Sequence, residues 1–447
     1  MQLIVSDRKH IVVGLGMTGV SCVRYLLAQG SQVEVVDTRL QPPGLEKFKA
    51  EFPQVPVRLG PLDAEYLSSA ADLVLSPGVA LAEPAIQEAI KAGVDVTSDV
   101  DMFSCVSDAP IIAITGSNGK STVTALLGEM AKDAGTKVAV GGNIGKPVLD
   151  LLDESIELYV IELSSFQLET TRRLGAMAAT VLNVSPDHMD RYENLQGYHQ
   201  AKHRIFRGAQ IAVVNDDEPL SQPLMTQTLE TVHFGLDRPG LKKFSTVTDA
   251  GETFLTFGFD RLLDVAEMKL KGRHNWSNAL AAMAFGHTAG IPVASMLETL
   301  KSFPGLPHRC QLVREIGQVN YINDSKGTNV GATATALESF GRAGRGEIVL
   351  IAGGIGKDAD FTPLSPLLKS YARAVVLIGR DAALIEKVVP EGIAVQHAID
   401  MNEAVCLAKK FAKSGDTVLL SPACASMDMF DNFEHRGQVF EAVVNSL

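Results

Sequence analysis

The sequence has few cysteines and no long apolar run, and each scarcity excludes a class of protein. Its 447 residues include five scattered cysteines (Cys22, Cys105, Cys310, Cys406 and Cys424) and no C-x-x-C pair. This pattern is neither a disulfide framework nor a zinc site, so we expect a protein of the reducing cytoplasm. No apolar stretch approaches the roughly 20 residues that span a bilayer. The N-terminus lacks the apolar core and cleavage site of a signal peptide, so no membrane insertion is expected.

The chain also lacks the basic excess of a nucleic-acid-binding protein. Its formal net charge is −12, with 40 Lys and Arg against 52 Asp and Glu. A nucleic-acid partner is therefore not expected, since such proteins usually carry a basic face. A hydrophobic content of 46% is typical of globular proteins. At about 150 residues per domain, the length favours three domains.

Strand and helix patterns start afresh three times along the chain, which predicts three α/β domains. Strand-like runs separated by amphipathic segments indicate βαβ units with mostly parallel sheets. The segment at 240–272 alternates polar and apolar residues and predicts antiparallel strands. The sequence FPGLP near Phe303 is a plausible linker. We predict domains at 1–98, 99–304 and 305–447: a Rossmann-like N-terminal domain, a central P-loop ATPase-like domain with a small antiparallel sheet, and a Rossmann-like C-terminal domain.

The segment ITGSNGKSTV, residues 114–123, has the composition and setting of a phosphate-binding loop. It lies between a buried strand and a helix, whose N-terminus favours anions. Lys120 can bridge the terminal phosphates and the Ser121 hydroxyl can bind Mg²⁺. The spacing departs from G-x-x-x-x-G-K-[ST], because Ile114 stands at the first glycine position. Glu162 ends the strand LYVIE, where a metal-binding carboxylate is expected beside such a loop; a solvated strand end is the alternative.

The sequence GLGMTG, residues 14–19, matches the dinucleotide fingerprint G-x-G-x-x-G, with Asp37 about twenty residues on. A nicotinamide dehydrogenase is therefore a competing hypothesis, and close packing by the glycines is another. Two features oppose the dehydrogenase: a second phosphate loop that hydride transfer does not need, and Arg39, which would suit an anionic nucleotide such as a uridine diphosphate.

Ten short motifs together resemble the Mur ligase family from end to end. They are TGSNGKST (115–122), GGNIG (141–145), ELSSFQLE (162–169), DHMDRY (187–192), YHQAK (198–202), HNWSNALAA (274–282), GLPHR (305–309), NDSKGTN (323–329), GGIGKDADF (353–361) and SPACASMD (421–428). The resemblance implies a UDP-binding first domain, an ATP-binding second domain and a third domain that closes to supply the amino acid. It also implies ATP-dependent addition of D-glutamate to UDP-N-acetylmuramoyl-L-alanine through an acyl phosphate, by an enzyme that we expect to be a monomer.

The resemblance also implies roles for individual residues. Catalytic roles fall to Lys120, Lys202 and His188. ATP contacts fall to Gly116, Ser117, Asn118, Gly119, Lys120, Ser121, Thr122, Asn278, Arg309 and Asp324. The UDP substrate would be held by Thr18, Asp37, Thr38, Arg39, Gly78, Asn143 and Gln167. The amino acid would be held by Lys326, Thr328, Lys357, Ser426 and Phe433. Two Mg²⁺ ions would be held by Ser121, Glu162, His188 and Lys202, the last as a carbamylated lysine.

Three alternatives to this function stay open at the level of sequence. A folylpolyglutamate synthase belongs to the same superfamily, but it should lack the UDP-binding first domain that GLGMTG and DTR indicate. A dehydrogenase would show nicotinamide absorbance. A nucleotide switch would hydrolyse slowly, whatever amino acid is added.

Overall fold

In the computed structural model, residues 9–224, 229–343 and 346–447 are described, and they form three successive α/β units. Each unit is built on one β-sheet, and the sheets have five, nine and six strands. The three α/β restarts predicted from the strand runs are therefore confirmed. Within these described ranges, no helix is long and apolar enough to cross a membrane.

The first unit is a parallel sheet in the order β3-β2-β1-β4-β5. Gly19, the last glycine of GLGMTG, is needed for close packing, since a Cβ there would lie 2.0 Å from the carbonyl oxygen of Gly14. The elements are β1 (His10–Val13), α1 (Met17–Ala28), β2 (Val33–Asp37), α2 (Leu45–Glu51), β3 (Val57–Leu59), α3 (Ala64–Leu67), β4 (Asp72–Leu75), α4 (Pro84–Lys91) and β5 (Asp95–Thr97).

The second unit is a nine-stranded sheet in the order β14-β13-β12-β11-β10-β9-β6-β8-β7. Its helices and strands are α5 (Asp99–Val106), β6 (Ile111–Thr115), α6 (Lys120–Asp133), β7 (Val138–Gly142), β8 (Leu158–Glu162), α7 (Ser165–Thr170), β9 (Ala178–Val181), α8 (Leu195–His203), β10 (Ile211–Asn215), β11 (Glu230–Phe234), β12 (Lys243–Asp249), β13 (Glu252–Phe257), β14 (Asp260–Asp264), α9 (Arg273–Thr288) and α10 (Val293–Ser302). Short 3₁₀ turns occupy Val148–Leu151, Arg204–Phe206 and Pro219–Ser221.

The antiparallel strands predicted at 240–272 are β12, β13 and β14. They are joined to the parallel part through β11, whose Phe234 pairs with Phe244. Instead of standing alone, the small antiparallel sheet thus continues one edge of the central sheet. On one face of that sheet, α6 and α9 bury a continuous apolar core with Val123, Leu127 and Phe285 fully enclosed.

The third unit has the strand order β15-β16-β20-β17-β18-β19, parallel except for the β15–β16 pair. Its elements are β15 (Gln311–Ile316), β16 (Val319–Asn323), α11 (Val330–Ala343), β17 (Ile348–Gly353), a 3₁₀ turn (Thr362–Leu364), α12 (Ser365–Tyr371), β18 (Ala372–Ile378), α13 (Ala382–Glu386), β19 (Ala394–His397), α14 (Met401–Phe411), β20 (Thr417–Leu420) and α15 (Phe433–Asn445). The domain boundaries at 98/99 and 304/305 stay a prediction.

Candidate active site

The predicted phosphate loop leads from strand β6 into helix α6. Gly116 and Gly119 both have positive φ, +155° and +81°, which side-chain-bearing residues rarely adopt. A Cβ at Gly119 would lie 2.6 Å from Oδ1 of Asn278, so only glycine fits beside that amide. The loop is fixed from below by Asn183, whose Oδ1 accepts from the Asn118 N–H at 2.8 Å. The loop therefore has a fixed conformation at the N-terminus of a 14-residue helix. A helix N-terminus preceded by a glycine-rich loop is suited to bind a phosphate.

Two lysine ammonium groups share one acceptor inside this loop. Lys120 Nζ donates to the carbonyl oxygens of Gly116 at 2.7 Å and Ser117 at 2.9 Å. Lys202 Nζ, from helix α8, donates to the same Gly116 oxygen at 2.8 Å. Lys202 is only 2% exposed, and its Nζ lies 4.4 Å from the centroid of the Tyr198 ring. Burial, and then repulsion by Lys120, holds the pKa of Lys202 well below its usual range.

A buried carboxylate faces this pair from the end of strand β8. Glu162 is 1% exposed, and its Oε1 accepts from Nδ2 of Asn143 at 2.7 Å. Its Oε2 is buried without a hydrogen-bond partner among the described residues. An unpaired buried carboxylate oxygen is unfavourable unless a cation compensates it. Glu162 therefore fits a divalent cation.

No three His, Cys, Asp or Glu side chains converge as a metal cluster in the ranges that the structure describes. The single carboxylate of Glu162 is compatible with Mg²⁺, which commonly takes one or two protein carboxylates and completes its shell with waters and phosphates. His188, a further predicted ligand, packs against Phe166 with ring centroids 4.7 Å apart. Burial first, and then Lys357, lowers the pKa of His188, which favours the neutral imidazole that a metal needs.

Asp187 joins the central unit to the third unit, although the sequence pattern did not single it out. Its Oδ1 accepts from Lys357 Nζ at 3.3 Å, and its Oδ2 accepts from Asn329 Nδ2 at 3.0 Å. Asn329 also lies 3.3 Å from Oδ1 of Asn118 in the phosphate loop. Although burial acts to raise the pKa of Asp187, Lys357 and His188 lower it. An ionised Asp187 thus holds two residues of the third unit next to His188.

A second bridge between these units lies at the phosphate loop. Arg309 Nη2 donates to the Ser121 hydroxyl at 2.6 Å. Near Arg309, Asp324 Oδ2 accepts from the Ser421 hydroxyl at 2.7 Å, and burial raises the pKa of Asp324 to about 6. Arg309 therefore places a guanidinium from the third unit on the residue predicted to bind Mg²⁺.

A cavity of about 1200 Å³ opens beside the loop between the central and third units. This volume is larger than the roughly 300–1,000 Å³ that is typical of a pocket for one small-molecule ligand. A smaller cavity of about 90 Å³ adjoins it and is lined by Asn278, Arg309, Asp324 and Lys326, among others. Residues that line the large cavity include Asn118, Gly119, His274, Trp276, Asn278 and Arg342. Six of the ten predicted ATP residues line one or both cavities, namely Asn118, Gly119, Thr122, Asn278, Arg309 and Asp324. The other four, Gly116, Ser117, Lys120 and Ser121, belong to the same phosphate loop and the start of α6 but line neither cavity.

The residues predicted for the amino acid come from four segments of the third unit. Lys326 Nζ lies 3.9 Å from the centroid of the Phe433 ring. Burial lowers the pKa of Lys326 to about 8. Ser426 is buried, whereas Thr328 is half-buried in the loop after Lys326. Lys357 is the more distant member, held by Asp187.

The residues predicted for the UDP group lie at the carboxyl edge of the first sheet, after β1, β2 and β4. Asp37 does not present a free carboxylate to a ribose hydroxyl. Its Oδ1 accepts from the Arg39 backbone N–H and Nε, both at 2.9 Å, and its Oδ2 accepts from Arg39 Nη2 and the Leu15 N–H, both at 2.7 Å. Although burial opposes it, Arg39 and Leu15 lower the pKa of Asp37 to about 2. Asp37 thus orients Arg39, and the half-buried Thr18 and exposed Thr38 and Gly78 lie along the same edge.

We expect Asp37→Ala to lower the free energy of unfolding by about 1–3 kcal/mol, because the Leu15 N–H loses its acceptor. Urea denaturation followed by circular dichroism measures this loss. Arg39→Met is the matched control, since the Arg39 side chain is 51% exposed and its loss leaves the Asp37–Leu15 bond intact. Equal destabilisation by the two variants would contradict the role of Asp37 as a buried acceptor.

Two residues predicted for the sugar and peptide end of the substrate lie near Glu162. Asn143 is exposed but holds Glu162. Gln167 is 3% exposed, and its Oε1 accepts from the Ser164 N–H at 3.0 Å in the capping box of helix α7. The side-chain carbonyl oxygen of Gln167 therefore stabilises the N-terminus of α7 in this structure.

Arg191 connects the first unit to the part of the central unit around Glu169. No role for Arg191 was predicted from the sequence. It donates to the carbonyl oxygens of Pro77 at 2.9 Å and Val79 at 3.3 Å, on either side of Gly78. It pairs with Glu169 at 2.7 Å and lies over the Phe166 ring. The only sequence signals for Asp187 and Arg191 were their places in DHMDRY beside His188.

Three family models match successive parts of the chain. The Mur ligase MurD-like N-terminal domain matches residues 8–98, the Mur ligase middle domain matches 114–286, and the Mur ligase glutamate ligase domain matches 308–424. Each range falls on a different one of the three sheets. The chain belongs to the Mur ligase family.

Curated relatives and solved structures agree with this family. Proteins named UDP-N-acetylmuramoylalanine--D-glutamate ligase from Marinobacter nauticus and from Pseudomonas aeruginosa are each 54% identical over 447 residues, covering all of both chains. MurF from Acinetobacter baumannii has a TM-score of 0.63 at 16% identity, covering 99% of this chain and 91% of that one. A pseudomurein peptide ligase type C from Methanothermus fervidus has a TM-score of 0.62 at 19% identity, covering 98% and 100%. At these identities the structures support the three-domain fold alone.

Proposed function

We propose that this chain is an ATP-dependent ligase that joins D-glutamate to UDP-N-acetylmuramoyl-L-alanine in the synthesis of peptidoglycan precursors. The observation that carries the proposal is the 54% identity over the whole chain to relatives that bear the name of this ligase. The region between the central and third units also supports the proposal. It contains a phosphate loop, a buried carboxylate that can bind a cation, and a pocket rich in lysine. We further propose that the enzyme acts as a cytoplasmic monomer on small molecules only.

The chemistry requires activation of a carboxylate, since a carboxylate resists attack by an amine. In the proposed first step, a carboxylate oxygen of the alanyl residue attacks the γ-phosphorus of ATP, and ADP leaves with the bridging oxygen. Negative charge gathers on the transferring phosphoryl group in this step. Lys120 and Arg309, which flank Ser121, are placed to offset that charge. In the second step the amine of D-glutamate attacks the acyl carbon, phosphate leaves, and the amine loses a proton.

Mg²⁺, when bound, would neutralise phosphate oxygens and hold them in line. We propose that two ions are held by the Ser121 hydroxyl, Glu162, His188 and a carbamylated Lys202. Glu162 supports this proposal through its unpaired Oε2. The lowered pKa of Lys202 supports the modification, because only a neutral amine reacts with CO₂.

The third unit would supply the amino acid and exclude water. Lys326 and Lys357 are proposed to bind the carboxylates of D-glutamate, with Thr328, Ser426 and Phe433 completing the pocket. Asp187 would keep Lys357 close to the acceptor end of the substrate. Exclusion of water protects the acyl phosphate from hydrolysis.

The substrate proposal predicts a strict double requirement. Phosphate release from ATP should depend on UDP-N-acetylmuramoyl-L-alanine and D-glutamate together. L-Glutamate should give a kcat/KM at least roughly a hundredfold lower, because the inverted centre leaves buried polar groups unpaired. A coupled phosphate assay over a panel of D- and L-amino acids measures this. Comparable rates with L-alanine or a diamino acid would refute the proposal.

A further inference from the structure

A fully buried arginine lies beneath the amino-acid pocket, and its role is not explained by the proposed reaction. Arg436, in helix α15, is 1% exposed and is the largest of the fully enclosed side chains in the described residues. Its Nε donates to the Ser325 hydroxyl at 3.0 Å, its Nη2 to the Ser325 carbonyl oxygen at 2.7 Å and its Nη1 to the Cys424 carbonyl oxygen at 3.1 Å. All three acceptors are uncharged.

These hydrogen bonds join three of the four segments that form the pocket; the segment of Lys357 is not among them. Ser325 directly precedes Lys326, and Cys424 lies two residues before Ser426. The third segment is the start of α15 itself, where Phe433 lies one turn before Arg436. The Ser325 hydroxyl in turn donates to the Phe433 carbonyl oxygen at 2.8 Å. One guanidinium therefore sets the spacing between Lys326, Ser426 and Phe433.

The charge of Arg436 has no partner of opposite sign at ion-pair distance among the residues that the structure describes. Burial lowers its pKa to about 10, so the group is still charged at neutral pH. Asp428 and Asp324 lie near enough to raise the pKa of Arg436 in part, but its hydrogen bonds go to neutral acceptors, so its charge is only partly compensated within the described residues. A buried charge of this kind is unfavourable, and a further anion nearby would stabilise it. A methionine would fill similar space without this cost, so packing alone does not explain an arginine here.

We propose that Arg436 is a positioning residue that holds these three pocket segments together and gives the pocket a positive potential that favours an amino acid with a second carboxylate. This inference rests on the proposed function, since it concerns the same pocket. It assigns no contact between Arg436 and the substrate, because the side chain lies behind Ser325 and Cys424.

The test is a comparison of Arg436→Met with Arg436→Lys by steady-state kinetics. Arg436→Met should raise the KM for D-glutamate by roughly tenfold or more, as expected for loss of charged hydrogen bonds. The KM values for ATP and the UDP substrate should stay within about twofold, since Arg436 lies in neither site. Arg436→Lys keeps the charge and should recover part of the loss. Inhibition by glutarate, a dicarboxylate without an amine, should weaken in the same order.

Arg373→Met is the matched control within the same unit. Arg373 pairs with the buried Asp416 at 2.5 Å, and Asp416 lies at the opposite end of strand β20 from the pocket. The Arg373→Met variant should have a lower melting temperature but an unchanged KM for D-glutamate. If Arg436→Met does not fold, Ser325→Ala removes one acceptor and should raise the same KM to a smaller extent. An unchanged KM for D-glutamate in a folded variant would overturn the inference, whereas a wild-type enzyme inactive with D-glutamate would overturn the proposed function.

Discussion

Replacing Lys120 by alanine is expected to abolish turnover while the protein stays folded. The Lys120 ammonium lies inside the phosphate loop, 2.7 Å from the Gly116 carbonyl oxygen, at the N-terminus of α6. Loss of one preorganised charge at a transition state costs roughly 3–4 kcal/mol or more, a rate decrease of at least about a hundredfold. Phosphate release under saturating substrates measures the effect, and circular dichroism checks the fold.

The control for this variant lies on the same helix. Lys132 is exposed near the end of α6 and, within the described part of the chain, pairs only with Glu129, one turn away. Lys132→Ala should leave kcat unchanged, because a surface pair of this kind contributes little. Near-normal turnover of Lys120→Ala would show that the loop has no part in phosphoryl transfer.

Lys202→Ala is expected to be nearly inactive and to recover partly when acetate is added. In the proposed enzyme, the neutral Lys202 amine attacks the carbon of CO₂ and the nitrogen then loses a proton, so that an uncharged group becomes a carbamate anion. Alanine leaves a space that a small carboxylate can occupy, and acetate would restore the missing oxygens. Phosphate release measured against acetate concentration gives the recovery. The wild-type rate should also fall on exhaustive removal of CO₂, provided that the carbamate exchanges with dissolved CO₂ during the experiment.

Lys120→Ala is the matched control for the rescue. Acetate should not restore that variant, because the missing group there is a cation. Recovery of both variants by acetate would indicate a general salt effect. The decisive contrary result is an unmodified Lys202 in a nucleotide-bound structure determined at saturating bicarbonate, with the metals bound by other groups.

The three-unit fold could be predicted largely because buried parallel strands are continuous apolar runs. The strands β6, before the phosphate loop, and β8, in LYVIE, are predicted in this way, and the alternating pattern predicts the antiparallel strands at 240–272. The three-residue strands β3 and β5 were missed, since so short a segment has no periodicity. The order of the strands in each sheet could not be predicted from the sequence either. In the third sheet, β20 lies between β16 and β17, although it is the last strand in the chain. Only long-range packing determines that insertion.

The candidate site was predictable where a motif has its own chemistry, as at Lys120 and Ser121. It was not predictable where a residue acts by holding another. Asp187, Arg191 and Arg436 are ordinary charged residues in sequence, and their importance comes from partners 22 to 170 residues away. Asp37 is a different case: the sequence assigned it to the UDP group, which stays a prediction, and the structure adds that its carboxylate holds Arg39 and the Leu15 N–H.

The single carbonyl oxygen shared by Lys120 and Lys202 makes the two lysines thermodynamically dependent on each other. A phosphate that attracts Lys120 changes the environment in which Lys202 gains or loses a proton, and carbamate formation changes the charge beside Lys120. In the proposed carbamylated enzyme, linkage requires that the factor by which nucleotide alters the affinity of Lys202 for CO₂ equals the factor by which CO₂ alters the affinity for nucleotide. Dissolved CO₂ would then be an effector of nucleotide binding, and dissociation constants measured at different bicarbonate levels would describe different states of the loop.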